Sequence, residues 1–433
     1  MQNLDNIFNS RVNDHRFNTS YPLSPQQWQE YKVDGRLSFA EEKDYSWYIH
    51  IPFCKSLCKF CEYTRFKAMD TETEKRYLQT VWNDMANFVN DNNVEGAVLH
   101  GFDIGGGTPT SLSHKSLYNL MMLMNDHADF LSKSDDFCGS IEGSFNTIDE
   151  DKIKIIAENG RYIGRMSFGL QSSAHLMAGL NRDNGSLKHM VQVFDWCRKY
   201  DIQILNIDLM YGFPNQTEQD IRSAIEMVKE LLPEHLTIYE YRTNMLKGAT
   251  PADLDTRYAQ YNQLFQHISE MGYSGHFGGN TFSLIGDDGL SSYLRHRMIE
   301  NGSYKGFGIS AQSKNQKGLS YNVGKRGEAL NDCMAASTYE VGGDTYILPP
   351  QEMLAKYLAI SGYYGKFRLS KMKEIIGNDP TAVFNKEFEY LLNRRLIAID
   401  NDWISITKEG FKCYGAAVSL FYPSLNAPTR HQR

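Results

Sequence analysis

Between residues 46 and 271, short apolar runs alternate six times with longer amphipathic stretches. The strand candidates are 46–51, 96–104, 139–143, 165–169, 204–209 and 236–241. The helix candidates between and after them are 72–90, 113–125, 150–159, 187–199, 218–232 and 255–271. This alternation leaves few architectures open, because successive parallel strands need a crossover, and a helix is its usual form. Six such units predict an α/β fold: a parallel sheet rolled into a partial (β/α)6 TIM-type barrel. In barrels of that kind the chemistry gathers at the C-terminal ends of the strands.

The first strand candidate runs into Tyr48-Ile-His-Ile-Pro-Phe-Cys54-Lys-Ser-Leu-Cys58-Lys-Phe-Cys61. Thiolates spaced C-x3-C-x2-C can hold three irons of a 4Fe–4S cluster and leave the fourth iron without a protein ligand. An open iron is a place to bind a small molecule and cleave it reductively. Two other readings use the same residues. A structural zinc site needs a fourth ligand, for which His50 is nearest, but no second cysteine pair follows. A redox pair of Cys58 and Cys61 leaves Cys54 idle. Spacing and ligand softness favour iron–sulfur. The other cysteines (Cys138, Cys197, Cys333 and Cys413) lie far apart and read as buried thiols, which suits a reducing compartment.

The chain of 433 residues has room for a large catalytic domain and a smaller one. We divide it into a lead segment (1–44), the barrel with its extension (45–345) and a C-terminal domain (346–433). No run of about 18 apolar residues occurs, so no membrane span is expected. Residues 1–20 lack the apolar centre of a signal peptide, and the expected location is the cytoplasm. A net charge of -7 gives no reason to expect a nucleic-acid partner.

With the cysteine loop and the strand order in place, the polar residues at the strand ends resemble a known pattern. C-x3-C-x2-C after a first strand is similar to the radical S-adenosylmethionine (SAM) superfamily. The extended form from Tyr48 to Cys54 resembles its oxygen-independent coproporphyrinogen III oxidase-like branch. The resemblance implies a radical SAM barrel whose open iron is chelated by SAM, with Cys54, Cys58 and Cys61 as cluster ligands. One electron then yields a 5′-deoxyadenosyl radical. Tyr48 is implied as a SAM contact, and Phe60 matches an aromatic beside the adenine.

The later strands agree. Gly105-Gly106-Gly107-Thr108-Pro109 reads as a flexible turn and matches the GGxxP element, which implies Gly106, Gly107 and Thr108 near the SAM amino group. Glu142 ends the third strand and resembles a glutamate that faces SAM, although Gly143-Ser144-Phe145 departs from the proline usual there. Arg165-Met-Ser167-Phe-Gly169-Leu-Gln171 resembles R-x-S-x-G-x-Q, whose glutamine contacts the ribose. Arg182 matches the arginine that pairs with the SAM carboxylate, a role suited to a planar guanidinium. Asn206-Ile-Asp208-Leu-Met-Tyr211-Gly212-Phe-Pro214 resembles the ribose-binding strand, with Asp208 as acceptor. Gly306-Phe-Gly308-Ile-Ser-Ala311-Gln312-Ser313 resembles a glycine-rich element near the substrate, in some members near a second SAM, which implicates Gln312.

Past residue 349 the helical stretches 351–364, 369–376 and 382–393 lead into a β-like pair, 396–400 and 402–406. This is similar to the small winged-helix-like lid of coproporphyrinogen oxidase-like proteins. A DNA-binding winged helix is the rival, but the domain is not strongly basic.

One departure bears on the substrate. Dehydrogenases that decarboxylate coproporphyrinogen III carry a further cysteine two residues after the third ligand; here that position is Tyr63. Glu62-Tyr63 resembles haem chaperones of the family and also the class C radical SAM methyltransferases and cyclopropane-forming enzymes. The expectation is a class C-like enzyme that uses one or two SAM molecules for C-methylation or cyclopropanation. The alternatives are a coproporphyrinogen III dehydrogenase or haem-opening enzyme, and a haem-binding chaperone. The implied partners are an unsaturated, heteroaromatic or tetrapyrrole substrate and a reductant such as flavodoxin or ferredoxin. His50, His235 and His276 are available as acid or base, though each reads more readily as structural.

Overall fold

Every crossover helix of the expected barrel begins on a side-chain cap, and this fixes where each strand hands over to its helix. In the computed structural model, which describes residues 2–14, 17, 21–92, 94, 96–241, 250, 252–324 and 328–423, six strands run parallel in chain order. They are β1 (Asp44–Ile51), β2 (Val98–Gly106), β3 (Ser132–Gly143), β4 (Ile163–Gln171), β5 (Ile204–Tyr211) and β6 (His235–Glu240). The helices are α1 (Thr71–Asp91), α2 (His114–Ala128), α3 (Glu150–Asn159), α4 (Leu187–Lys199), α5 (Glu218–Leu231) and α6 (Leu254–Glu270). Asp70, Ser113, Asp149, Ser186, Thr217 and Asp253 each accept a backbone N–H of the first turn. Each such cap contributes about 1 kcal/mol.

The sheet continues beyond the six. At one edge β7 (Thr281–Ser283) pairs antiparallel with β6. At the other, β8 (Ser303–Phe307) runs parallel to β1 and leads into antiparallel β9 (Gln312–Lys314), β10 (Gly318–Tyr321) and β11 (Asp344–Ile347). Among the described residues the two edges do not pair, so the barrel is partial, as expected.

The strands alternate sharply. Trp47, Ile49, Phe102, Ile104, Ile141, Met166, Phe168, Ile207 and Leu236 are fully buried. The alternate positions are Ser46, Tyr48, His50, Asp103, Ser140, Glu142, Arg165, Ser167, Asn206, Asp208 and Thr237. Parallel strands covered on both faces read as continuous apolar runs. Here one face carries the core against the helices, and the other lines a polar lumen. A short helix, α7 (Ser292–Met298), lies against that inner face near the strand starts. A Cβ at Gly101 would fall 2.7 Å from that of Ser292, Ser46 Oγ lies 2.9 Å from His296 Nδ1, and Ser291 Oγ donates to Asp103 at 2.9 Å. The helix is a floor to the lumen.

A second compact unit comprises residues up to 31, 277–279 and the chain from 348. Its C-terminal part holds a helix (Pro350–Tyr364), shorter helices and a three-stranded antiparallel sheet of Lys366–Arg368, Trp403–Ile406 and Ile397–Asp400, a winged-helix-like arrangement. The N-terminal residues pack within the same unit: Tyr21 Oη and Trp28 Nε1 donate to Glu352 at 2.5 and 2.8 Å, and Arg11 donates to the Ser419 carbonyl oxygen at 2.6 Å. Among the described residues no helix is long and apolar enough to cross a membrane.

Candidate active site at the strand ends

The loop that leaves β1 carries all three clustered cysteines. It is fixed by main-chain bonds and by one arginine. Gly107 N and Thr108 N donate to the carbonyls of Ile51 and Phe53, both at 2.8 Å, tying the start of the loop to the end of β2. Arg65 reaches back across the loop, donating from Nη2 to the Cys58 carbonyl at 2.6 Å and from Nη1 to those of Cys61 and Tyr63 at 2.8 and 3.1 Å. Sequence reasoning missed Arg65; its signal was only a lone cation four residues past the last cysteine. Arg65→Met is expected to speed iron loss from the reconstituted protein to a chelator by roughly tenfold, the scale for partners that orient metal ligands. An unchanged rate would reduce Arg65 to a surface residue.

Cys54 is buried and Cys58 and Cys61 are half-buried; all three are free thiols. Burial pushes the Cys54 thiol up to about 11, and the hydrogen bond from Thr108 Oγ1, at 3.6 Å from Sγ, pulls the other way. Burial also raises Cys61, against the opposing field of Arg65. His50 does not complete a zinc site. Its Nε2 is engaged by the Thr64 carbonyl at 2.8 Å and its Nδ1 lies 3.4 Å from Tyr48 Oη. Burial holds its pKa down at about 4, so the ring is neutral and ties the loop to β1. Among the described residues no three His, Cys, Asp or Glu side chains close on one point as a single ion requires. A cubane takes each thiolate on a different iron, so three thiols spread along one loop suit it better than zinc. Of the other cysteines Cys197 and Cys333 are buried, while Cys138 and Cys413 are only half-buried.

The expected residues from the other strands face the same lumen. The glycine run is not a flexible turn, as expected from sequence: Gly105 and Gly106 are the last residues of β2, paired with His50 and Ile51. They are glycines because of close approach. A Cβ at Gly105 would lie 2.4 Å from Glu142 Oε1, and one at Gly106 (φ +102°) 2.3 Å from the His50 ring. Gly106 N donates to Glu142 Oε2 at 3.2 Å. At the end of β4 a bulge at Leu170 leaves Gln171 in the left-handed region, and its Oε1 is buried without a partner. Arg182 donates to the Gly169 carbonyl and to Asn184 Oδ1, and lies 3.8 Å from Cys58 Sγ. Asp208 accepts from Asn206 at 2.9 Å and Ser167 at 3.3 Å. Phe60 packs with Met177, Met210, Phe213 and Tyr241. Gln312 accepts from Tyr304 Oη at the far side of the lumen. Of the candidate histidines, His235 is fully buried and bonded to Asp287, and His276 lies in the loop after α6.

Three carboxylates share this space. Burial, then Asp208 and Asp103, push Glu142 up to about 8; burial raises Asp103 to about 6 and also raises Asp208. Arg165 opposes the rise at all three. Glu142 faces the open lumen. With its folded value above the ordinary 4.5, it binds a proton on folding, so its stabilisation is complete in acid and is lost as pH rises towards about 8. Glu142→Gln is expected to flatten that decline. Urea midpoints of the SAM-free protein across the window read it; an unchanged slope would assign the proton elsewhere.

The cysteine loop thus stands at the polar strand ends of a partial α/β barrel. Residues 48–228 match the profile of the radical SAM superfamily. The chain is 30% identical over 193 residues to the haem chaperone HemW of Bacillus subtilis, covering 44% of this chain and 49% of that one. It is 25% identical over 340 residues to the anaerobic coproporphyrinogen III oxidase 1 of Cereibacter sphaeroides, 73% of each chain. It is 23% identical to HemW of Lactococcus lactis over 86% of this chain and 95% of that one. The solved coproporphyrinogen III oxidase of Escherichia coli superposes with a TM-score of 0.74 at 20% identity, covering 93% of this chain and 96% of that one, which shows the fold. Residues 48–228 are a radical SAM domain, and proteins of that superfamily use a 4Fe–4S cluster and SAM. Within it, the chain is similar to coproporphyrinogen III oxidases and haem chaperones.

Proposed function

We propose that the chain cleaves SAM at a cluster held by Cys54, Cys58 and Cys61 and directs the radical to a tetrapyrrole or similar planar, unsaturated molecule. The observation that carries this reading is the convergence of Glu142, Gln171, Arg182 and Asp208 on the lumen beneath the cysteine loop. When bound, the cluster supplies the electron that breaks the S–C5′ bond of SAM. The chain's own groups bind and orient. Among the described residues Arg182 makes no ion pair, and it would take the SAM carboxylate. The amino group falls to Glu142 and the glycine edge of β2, with Thr108 holding the Cys54 side of the loop. Asp208, kept in place by Asn206 and Ser167, would accept from ribose hydroxyls, beside the unpaired Oε1 of Gln171. Tyr48 and Phe60 would flank the adenosyl group.

The substrate class rests on the relatives, which are named for coproporphyrinogen and haem. A methyl-transferring or cyclopropane-forming reaction with a second SAM is the second reading, favoured by Tyr63 in place of a fourth cysteine. In either case we assign the C-terminal unit to covering the substrate, a flavodoxin- or ferredoxin-type reductant to electron supply, and the cytoplasm as location. Anaerobic incubation of reduced, reconstituted protein with methyl-labelled SAM and coproporphyrinogen III tests these. Formation of 5′-deoxyadenosine with carbon dioxide marks decarboxylation. 5′-Deoxyadenosine with labelled product and S-adenosylhomocysteine marks methyl transfer. Stable haem binding with no SAM cleavage would overturn the enzyme reading in favour of a chaperone.

A further inference from the structure

The lumen holds a cation that none of these roles uses. Arg297 projects from the floor helix α7, between the rings of Tyr304 and Tyr293, with its guanidinium carbon 4.8 and 5.9 Å from their centroids. It donates to hydroxyls only among the described residues, from Nη1 to Tyr293 Oη at 3.3 Å and to Tyr304, and its Nε is buried without a partner. Among the described residues no carboxylate forms an ion pair with it. The other lumen arginines are accounted for. Arg165 sits among Asp103, Glu142 and Asp208, and Arg182 lies across the lumen beside Cys58. Asp103 feels the field of Arg297 but is bonded to Ser291.

The surroundings of Arg297 are aromatic. Tyr48 stacks obliquely on Tyr293 at 6.0 Å, and Tyr304 bonds to Gln312. A guanidinium taken out of water without an anion is costly, and its fork matches a carboxylate bidentately. Flat tyrosine rings beside it suit a planar, unsaturated body.

We propose that Arg297, walled by Tyr48, Tyr293 and Tyr304, is a subsite for a carboxylate of the reacting partner, separate from the SAM carboxylate at Arg182. The inference rests on the proposed function for the partner's identity. The carboxylate belongs either to an acidic side arm of the planar substrate or to the methionine end of a second SAM.

The test uses reconstituted holoprotein with coproporphyrin III, a planar tetracarboxylate, and with its tetramethyl ester. Wild type is expected to bind the acid at least tenfold more tightly than the ester. Arg297→Gln is expected to remove that preference, and Arg297→Lys to restore part of it, with iron content unchanged in both. If the acid binds equally to wild type and Arg297→Gln while the variant loses one of two bound SAM equivalents, the carboxylate is that of a second SAM. Equal porphyrin affinity and equal SAM stoichiometry in the two proteins would overturn the subsite. Failure of wild type to bind either porphyrin defeats the tetrapyrrole reading instead, and SAM stoichiometry then decides the subsite alone.

Discussion

Cys58→Ala is expected to yield a folded protein that holds little iron and forms no 5′-deoxyadenosine above background, a loss of more than ~10^3-fold. The size follows from the absence of redundancy. A cluster with three protein ligands and an open iron has no spare thiolate, and among the described residues no fourth donor stands by: both ring nitrogens of His50 are already engaged. Cys58 is the informative choice because it is half-buried and its carbonyl, which Arg65 grips, survives the substitution. Cys138→Ala is the control, equally half-buried and far from the loop in sequence, and should keep its iron. Iron content, cluster absorbance and 5′-deoxyadenosine yield read the result together. Full SAM cleavage by Cys58→Ala would sink the assignment of the loop.

The strands were legible because each carries apolar residues on the helix side, and the helices because each has an amphipathic stripe behind a cap. What escaped had no such local signal. β3 begins at Ser132, seven residues before the expected 139, because its first half, Ser-Lys-Ser-Asp-Asp-Phe, shows no apolar alternation and is held by pairing with β2. The glycines of β2 looked like a turn because sequence shows only missing side chains; the reason for their absence, Glu142 and His50 pressing from neighbouring strands, is tertiary. The cysteines and strand-end residues could be found one motif at a time. Arg65 and Arg297 could not, since each acts through groups brought near only by the fold.

Arg165→Met should be the most destabilising single change in the lumen, costing ~3–5 kcal/mol, the scale for removing one partner from a buried charge cluster. Arg165 is buried at 5% exposure, donates to Ser140 Oγ at 3.1 Å, and is the cation that restrains Asp103, Glu142 and Asp208 at once. Methionine matches much of its length but leaves the three carboxylates facing one another. The pH dependence separates this cause from lost packing. All three groups already have folded values above their ordinary ones, so their contributions to stability are largest in acid and fade as pH rises through those values. Without Arg165 the folded values climb further, the carboxylates stay protonated in the folded protein, and the cost of doing so grows with pH. The deficit should therefore be greatest above about pH 8 and shrink towards pH 5, where protons replace the missing cation. Urea midpoints of wild type and variant at both ends of that range measure it. Arg165→Lys should recover part of the loss, because it returns the charge without the fork. A deficit independent of pH would mean that Arg165 serves as packing, and that the three carboxylates are held apart by something else.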